Sequence, residues 1–320
     1  EAAVKMAMKL TGRSEVVTLS GAYHGLGLAT RGLLGLPALR AGMPEANWWP
    51  TFRHGPVPDS YRHRPGGKDP SGHRASLAGL DEAMGGGNSV AALIVEPVQG
   101  PGGHVVFEPD WFADVQALCR QHGTLLIADE VQTGLGRCGE NFACDIYGIE
   151  PDVLVLAKGL GGGLPFGATM VSGQRVPPEL EREAWIAFTF QNQPVAAAAA
   201  LAVLEIVERD RLAERARVLG DRASSRFADM QDRFSCIGDV RGPGLFIGVD
   251  LVTDRETREP ATHACERALE YALDVGLLTW FGGPGGNVLK LKPPLTTSDE
   301  DFEEMLDRIE SVIAFVGRSI

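Results

Sequence analysis

The sequence predicts an α/β protein, in which a mainly parallel sheet carries helices on both faces and a smaller C-terminal α+β domain follows. Short apolar runs without polar alternation, as at 124–128 and 153–157, are typical of strands buried on both faces. Helical stretches alternate with these runs, which favours crossover connections between parallel strands. The chain has 320 residues and its pattern changes after Ser235, so we expect a large domain over 1–208 and a small domain over 209–320.

Helical spacing of apolar residues and short unbroken apolar runs locate the elements of the large domain. The expected order is a helix at 1–11, a strand at 15–20, a glycine-bounded loop with Tyr23 and His24, an irregular segment at 38–76, a helix at 77–85, a strand at 90–96, a helix at 109–122, the strand before Asp129, a helical turn at 139–148, the strand before Lys158 and a helix at 194–209. Long irregular segments in compact domains are usually functional or cover a site.

The small domain is expected to hold one hairpin-like strand pair, rich in glycine, among helices. Its expected elements are a helix at 210–231, two strands within 236–252, a helix at 259–275, strands near 277–281 and 287–292, and a closing helix at 298–316.

Composition narrows the class of protein and its partners. The formal charge is −12, from 42 acidic and 30 basic side chains, which argues against nucleic acid or an anionic membrane as a partner. No apolar run approaches the ~18 residues of a membrane span. The five cysteines are scattered without a C-x-x-C pair, so we expect a reducing, cytoplasmic location and neither a disulfide framework nor a metal site.

Asp129 and Lys158 stand at the carboxyl ends of two predicted strands, where open parallel sheets form their ligand crevices. An Asp there can keep a pyridine nitrogen protonated while a Lys forms a Schiff base with an aldehyde, which is the pairing that pyridoxal phosphate requires. Taken singly, the Asp could be a helix N-cap and the Lys a surface residue. The run before Glu130 also resembles the acidic strand of a P-loop NTPase, but the sequence lacks G-x-x-x-x-G-K-[ST] and comes nearest to it at 66–69.

Six motifs spread across nearly the whole chain resemble those of the class III pyridoxal phosphate-dependent aminotransferases of fold type I, and they occur in the same order as in those enzymes. They are Gly21-Ala-Tyr23-His24-Gly25, Val95-Glu96-Pro97-Val98-Gln99-Gly100, the run from Ile127 to Arg137, the run from Leu156 to Gly163, Asp239-Val-Arg241-Gly-Pro-Gly244 and Lys292-Pro-Pro-Leu295. Within the small domain, 236–242 and 257–261 look like dialkylglycine decarboxylase. The run 287–294 instead resembles the phospholyases that act on phosphoethanolamine and phosphohydroxylysine.

The resemblance implies a role for each matched residue. Lys158 would be the Schiff-base lysine and would carry a proton between the substrate α-carbon and the cofactor. Asp129 would pair with the pyridinium nitrogen, and Gln132 would reach the phenolic oxygen of the ring. Tyr23 would stack on the ring face, and its neighbour His24 would also belong to the cofactor site.

Three further residues are assigned by the same resemblance. Glu96 would face the substrate side of the crevice, and Lys290 stands where relatives carry an arginine for the substrate carboxylate. Thr189 would donate to the cofactor phosphate of a neighbouring subunit, which implies a homodimer with shared active sites. Gln191-Asn192-Gln193 replaces the usual small residues of that loop.

The family's phosphate-binding loop would lie upstream of the helix that begins at Glu1. The first ten residues are typical of the interior of a helix, without an initiator Met or an N-cap. We therefore expect that the N-terminal part of the natural protein is absent from this sequence.

The related chemistries differ in the bond that is broken at the α-carbon. Tyr23 favours an aminotransferase or a phospholyase, because the decarboxylase would place Trp there. A lysine at 290 lacks the bidentate fork of arginine and favours a phospholyase or an amine-specific aminotransferase. We expect an aminotransferase that moves an amino group between an amine or amino acid and a keto acid. A phospholyase, a decarboxylase and a non-enzymatic binding or regulatory protein are the alternatives, and intact Asp129, Gln132 and Lys158 speak against the last.

Overall fold

The computed structural model describes most of the chain, namely residues 1–27, 29–37, 51–59, 61–62, 72–85, 87–178 and 186–320. The helices are α1 Ala2–Thr11, α2 His73–Met84, α3 Pro109–His122, α4 Ala143–Tyr147, α5 Pro194–Arg209, α6 Leu212–Arg233, α7 Thr262–Asp274 and α8 Asp299–Gly317. The strands are β1 Glu15–Leu19, β2 Thr51–Gly55, β3 Val90–Val95, β4 Val98–Gln99, β5 Val105–Val106, β6 Leu125–Asp129, β7 Val153–Leu156, β8 Ala168–Val171, β9 Ile237–Arg241, β10 Ile247–Leu251, β11 Phe281–Gly282 and β12 Val288–Leu291.

A six-stranded sheet forms the centre of the large domain, in the order β2-β1-β3-β6-β7-β8. All neighbouring pairs are parallel except β7 and β8, so β8 is an antiparallel edge strand. The predicted α/β class with a mainly parallel sheet is confirmed. Because the parallel strands all run the same way, their carboxyl ends meet at one edge.

Helices cover both faces of this sheet. Successive strand residues point to opposite sides, so the apolar strands present side chains on both faces that must be buried. On one face, Ala3 and Val4 of α1 pack with Val16 and Ile94. On the other face, α2 and α3 pack against residues that include Val17, Leu93 and Leu126. The unbroken apolar runs of β3 and β6 follow from this burial on two sides.

Two strands of the sheet were not expected from the sequence. β2, with the sequence Thr-Phe-Arg-His-Gly, lies within the segment 38–76 that we predicted to be irregular, and it carries two charged or ionisable side chains. Its pairing with β1 overrides its weak strand propensity. Residues 38–50 and 63–71 of the same segment lie outside the described part of the chain. β8 follows the glycine-rich turn after β7 and was likewise missed.

The C-terminal part of the chain builds a second, antiparallel sheet in the order β11-β12-β10-β9. Residues of α6, α7 and α8 pack with this sheet in a separate hydrophobic core that includes Phe227, Phe302 and Ile313. This agrees with the small α+β domain expected there. We propose that the boundary between the domains lies close to 208/209, next to the short turn between α5 and α6.

Candidate active site

The carboxyl ends of four adjacent strands, β1, β3, β6 and β7, bring distant parts of the chain to one cavity. Its volume is about 360 Å³, within the usual range for sites that bind small molecules and cofactors. Six residues predicted from the sequence line it, namely Tyr23, His24, Glu96, Asp129, Gln132 and Lys158. The sheet therefore assembles most of the predicted site.

Asp129 is held at the last position of β6 by contacts to both of its carboxylate oxygens. The backbone N–H of Val131 donates to Oδ1 at 3.1 Å, and His24 Nδ1 lies 2.7 Å from Oδ2. A carboxylate can only accept hydrogen bonds, so Nδ1 carries the hydrogen. The other ring nitrogen of His24, Nε2, lies 3.0 Å from Thr18 Oγ1. Thr18 is a buried residue of β1 that the sequence analysis did not single out.

Glu96 follows β3 and is 3% exposed. Its Oε1 accepts from the backbone N–H of Tyr23 at 2.9 Å, and its Oε2 accepts from that of Gly100 at 3.0 Å. Burial raises the pKa of Glu96 to about 7. These two hydrogen bonds favour the ionised form but do not offset the burial. Glu96 therefore anchors the loop that carries Tyr23.

Lys158 lies two residues beyond the end of β7, at the start of a 3₁₀ turn over Lys158–Gly161. Its φ is +46°, in the left-handed region that residues other than glycine rarely adopt. A backbone conformation of this kind costs on the order of 1–3 kcal/mol and is common at functional sites. The turn is supported from behind by α5, whose Ala200 packs with Leu160.

Gln132 and Lys158 also line a neighbouring recess of about 240 Å³, together with Arg137, Lys292 and Leu295. Lys292 Nζ donates to Gln132 Oε1 at 2.9 Å. Burial and the nearby charges of Lys290, Lys158 and Arg137 lower the pKa of Lys292 to about 8. No role for Lys292 was predicted from the sequence. Its position two residues from Lys290, on the same side of an alternating strand pattern, was the available signal.

Two predicted site residues do not line either cavity in the described part of the chain. Lys290 is a half-buried residue of β12. Its pKa is lowered by burial, and the carboxylate of Glu96 offsets only part of this effect. The Glu96 carboxylate is therefore within electrostatic reach of Lys290. Thr189 is exposed in the turn before α5.

Glu130 stands next to Asp129 but points into the protein. Its carboxylate accepts from the backbone N–H of Cys144 at 2.7 Å and from the hydroxyl of Thr133. Burial raises its pKa. This buried network holds the turn between β6 and α4, so Glu130 shapes the loop that presents Gln132.

The family model of the class III aminotransferases matches residues 1–313, nearly the whole chain. The chain belongs to this family. The resemblance seen in the sequence motifs is confirmed, and the protein is a pyridoxal phosphate-dependent aminotransferase of fold type I. Its reaction therefore uses an amino donor and a keto acid.

Individual relatives agree with this membership. A leucine/methionine racemase of Thermococcus litoralis is 39% identical over 99% of this chain and 71% of its own length. The 5-aminovalerate aminotransferase DavT of Pseudomonas aeruginosa is 36% identical over 96% of this chain and 70% of its own length. A solved amine transaminase from an uncultivated Pseudomonas species, in its PLP-bound form, superposes with a TM-score of 0.86 at 33% identity and covers 98% of this chain and 72% of its own.

The residues of the main cavity fit the cofactor of this family. A buried carboxylate and an amine stand on adjacent strand ends, as a pyridine nitrogen and an aldehyde on one ring require. Tyr23 adds an aromatic side chain to the same wall. Separately, no helix in the described residues is long and apolar enough to cross a bilayer.

Proposed function

We propose that this aminotransferase works through Lys158 and Asp129 in the main cavity. One observation carries the assignment: the two residues line one cavity from the ends of paired strands, β7 and β6. Pyridoxal phosphate supplies an aldehyde and an electron-withdrawing ring. Asp129 would hold the proton on the ring nitrogen, and its two anchored oxygens fix where that proton lies.

Lys158 Nζ would provide the amine that links to the aldehyde. When substrate occupies the site, the free amine of Lys158 would take the proton from the substrate α-carbon and would return it at the cofactor carbon. The strained backbone of Lys158 supports this role, since it aims one side chain at the cavity at a cost in stability. Tyr23 would stack on the ring, and Glu96 would keep its loop in place.

The amino donor is proposed to be an amine or an amino acid, and the acceptor a keto acid. Lys290 and Lys292 lie in or beside β12, and their positive charges support a donor or acceptor that carries an anionic group. The 5-aminovalerate aminotransferase among the relatives is named for a donor of this kind.

Borohydride reduction of the holoenzyme, followed by peptide mapping, tests the assignment of Lys158. The pyridoxyl label should be found on Lys158, and a label on Lys290 or Lys292 would contradict the assignment. A panel of amines and amino acids, scored for keto acid, phosphate and carbon dioxide, then distinguishes transamination from the phospholyase and decarboxylase alternatives. Release of phosphate or carbon dioxide in step with turnover would favour those alternatives.

A second candidate activity at the same site is amino acid racemisation, which the leucine/methionine racemase among the relatives supports. Here Lys158 would take the proton from the α-carbon and release it to water, and a proton from water would be added to the other face of the same carbon. Incubation of one leucine enantiomer in deuterated water without keto acid tests this. Formation of the deuterated opposite enantiomer supports racemisation, and an unchanged enantiomer excludes it.

We also propose a homodimer with shared active sites. Support comes from α5 and the turn before it, where exposed apolar side chains include Phe190 at 79%, Val195 at 69% and Leu201 at 62%. Apolar surface of this kind marks an interaction site. Thr189 lies in the same turn, as expected for a residue that reaches a neighbour's cofactor phosphate. A reducing, cytoplasmic location is proposed because all five cysteines are free and buried.

A further inference from the structure

Lys292 enters the active site from the small domain. It follows β12, whereas Gln132 belongs to the loop after β6 of the large domain. The ammonium of a lysine can only donate hydrogen bonds, so the oxygen of the Gln132 amide must face Lys292 Nζ, 2.9 Å away. The NH₂ end of that amide consequently faces the other way. The chemistry of the pair therefore determines which end of the amide is the oxygen and which is the NH₂ group.

Gly100 leaves the space in which the amide lies. A Cβ placed on Gly100 would stand 2.8 Å from Gln132 Oε1, 2.9 Å from its Cδ and 3.0 Å from its Nε2. A Cβ at Gly100 would therefore force the end of the Gln132 side chain to move. The Gln132 amide therefore lies directly against the backbone of Gly100, whose N–H is held by Glu96.

Contacts on both sides hold Lys292 in position. Its Nζ lies 5.1 Å from the centre of the Phe246 ring, a cation–π contact. Phe246 is fully buried and stacks on His104 at 4.2 Å. Arg137, from the same loop as Gln132, donates to the carbonyl oxygen of Pro293 at 2.5 Å. The loop and the end of β12 are thus joined at two adjacent points.

The charges around Lys292 make its contact with an amide oxygen favourable. Lys290, Lys158 and Arg137 are cationic neighbours, while Glu96 is anionic only in its ionised form. An amide oxygen satisfies the ammonium without adding a negative charge to the cofactor site. Part of the Lys292 side chain remains exposed, so water shares in its solvation.

We propose that Lys292 is a positioning residue that fixes the Gln132 amide with its NH₂ group toward the phenolic oxygen of the cofactor. The proposal rests on the proposed function, in which Gln132 reaches that oxygen. It adds that the small domain, through Lys292, sets the orientation of a cofactor contact in the large domain. A shift of the small domain relative to the large one would then loosen this contact.

The test uses the holoenzyme and follows the pH titration of the bound cofactor's visible absorbance. Lys292→Met removes the charge and frees the Gln132 amide to turn. Both changes favour the protonated cofactor, so the titration midpoint should rise by about one pH unit. Lys292→Arg keeps a charged donor and should restore the midpoint. Cofactor affinity, measured by titration of the apo protein, should fall in Lys292→Met and recover in Lys292→Arg.

A double-mutant cycle separates positioning from a direct charge effect. In a Gln132→Leu background, Lys292→Met should add less than about half of its shift if Lys292 acts through Gln132. Lys290→Met is the matched control, since it removes a neighbouring charge, and it should shift the midpoint less. A full shift in the Gln132→Leu background, or no shift in Lys292→Met, would overturn the proposal.

The wild type separates this outcome from failure of the proposed function. If wild-type enzyme carries the label on Lys158 and transaminates, but Lys292→Met leaves the titration midpoint unchanged, only the positioning role is refuted. Wild type without a label on Lys158 refutes both. Circular dichroism melting of Lys292→Met and Lys292→Arg checks that each variant is folded.

Discussion

At the scale of single residues, Asp129 is held by protein contacts to both of its carboxylate oxygens. Val131 N–H holds one oxygen and His24 holds the other, and Thr18 in turn contacts His24. The histidine lies between two strand residues, one in β1 and one in β6. The proposed ring-nitrogen contact is thus prepared by the protein before the cofactor binds, which lowers the cost of binding.

Asp129→Asn should keep cofactor binding but lose most turnover, by roughly 10²–10⁴ in kcat, because a neutral amide cannot hold the pyridinium proton. Steady-state kinetics with the best donor from the panel measures the loss. The control is Asp81→Asn, which removes a surface carboxylate that also pairs with a histidine, His122, at 2.7 Å. Near wild-type turnover in Asp129→Asn would show that the ring-nitrogen role is wrong.

Glu96 gives the apo protein a specific dependence of stability on pH. Its pKa is about 7 in the folded protein and about 4.3 in an unfolded chain. Between these values the folded protein binds the extra proton, so stability is full below the lower value and falls as pH rises through the window. The shift of between two and three units corresponds to about 3–4 kcal/mol.

Glu96→Gln should remove this dependence. The free energy of unfolding of the variant, relative to wild type, should therefore rise between pH 5 and pH 8 by about 2.5 kcal/mol. Thermal melts of apo protein across this range measure the difference. Glu82→Gln, an exposed glutamate of α2, is the control. A constant difference between Glu96→Gln and wild type would refute a protonated Glu96.

Where a strand end fixes a side chain, its place in the fold could be predicted from the sequence. Asp129, Lys158 and Glu96 each follow an apolar run, so their convergence could be predicted. The strand pattern could have placed Lys292 on the same side as Lys290, but its contact with Gln132 could not be predicted. That contact joins positions 160 residues apart and depends on how the two domains meet. Thr18 was hidden for a related reason, since it is one polar residue within a buried strand.

At the scale of elements, the turn after β4 lets the Gln132 amide lie directly against the backbone of Gly100. Gly100→Ala should push the Gln132 amide from its place and weaken cofactor binding by roughly 1.5–3 kcal/mol, as for one hydrogen bond to a charged group. Titration of the apo protein measures this. Gly173→Ala is the control, since a Cβ there would meet nothing within 4 Å. Unchanged cofactor affinity in Gly100→Ala would show that the Gln132 amide can keep its cofactor contact beside a Cβ at position 100.

Helices with clear periodicity were predicted well, and α3 and α5 have the expected bounds. Edge elements were not. β2 and β8 lack the apolar runs of central strands, because each has a neighbour on one side only, and their pairing is decided by the sheet. The short hairpin of β4 and β5 is too brief for periodicity to reveal.

At the scale of the whole molecule, α5 is apolar on nearly all sides, yet it buries few of its side chains in a single chain. A helix of this composition is normally covered. Leu201→Arg should therefore dissociate the proposed dimer and lower cofactor affinity, because a monomer loses the partner's Thr189. Sedimentation at several concentrations reports the assembly.

Leu273→Arg is the matched control, since Leu273 is 64% exposed on α7 and lies in the small domain. It should leave the dimer intact. Full activity in a monomeric Leu201→Arg variant would exclude shared active sites.

The separation of the site between two sheets has a consequence for how such enzymes diversify. Strand ends of the large sheet supply the groups proposed to react, whereas β12 of the small sheet carries Lys290, which we propose for the anionic group of the substrate. Changes in the small sheet can therefore exchange one substrate for another while the chemical core is inherited intact. A designer who wished to retarget this enzyme would begin at Lys290 and leave Lys292 and the parallel strands untouched.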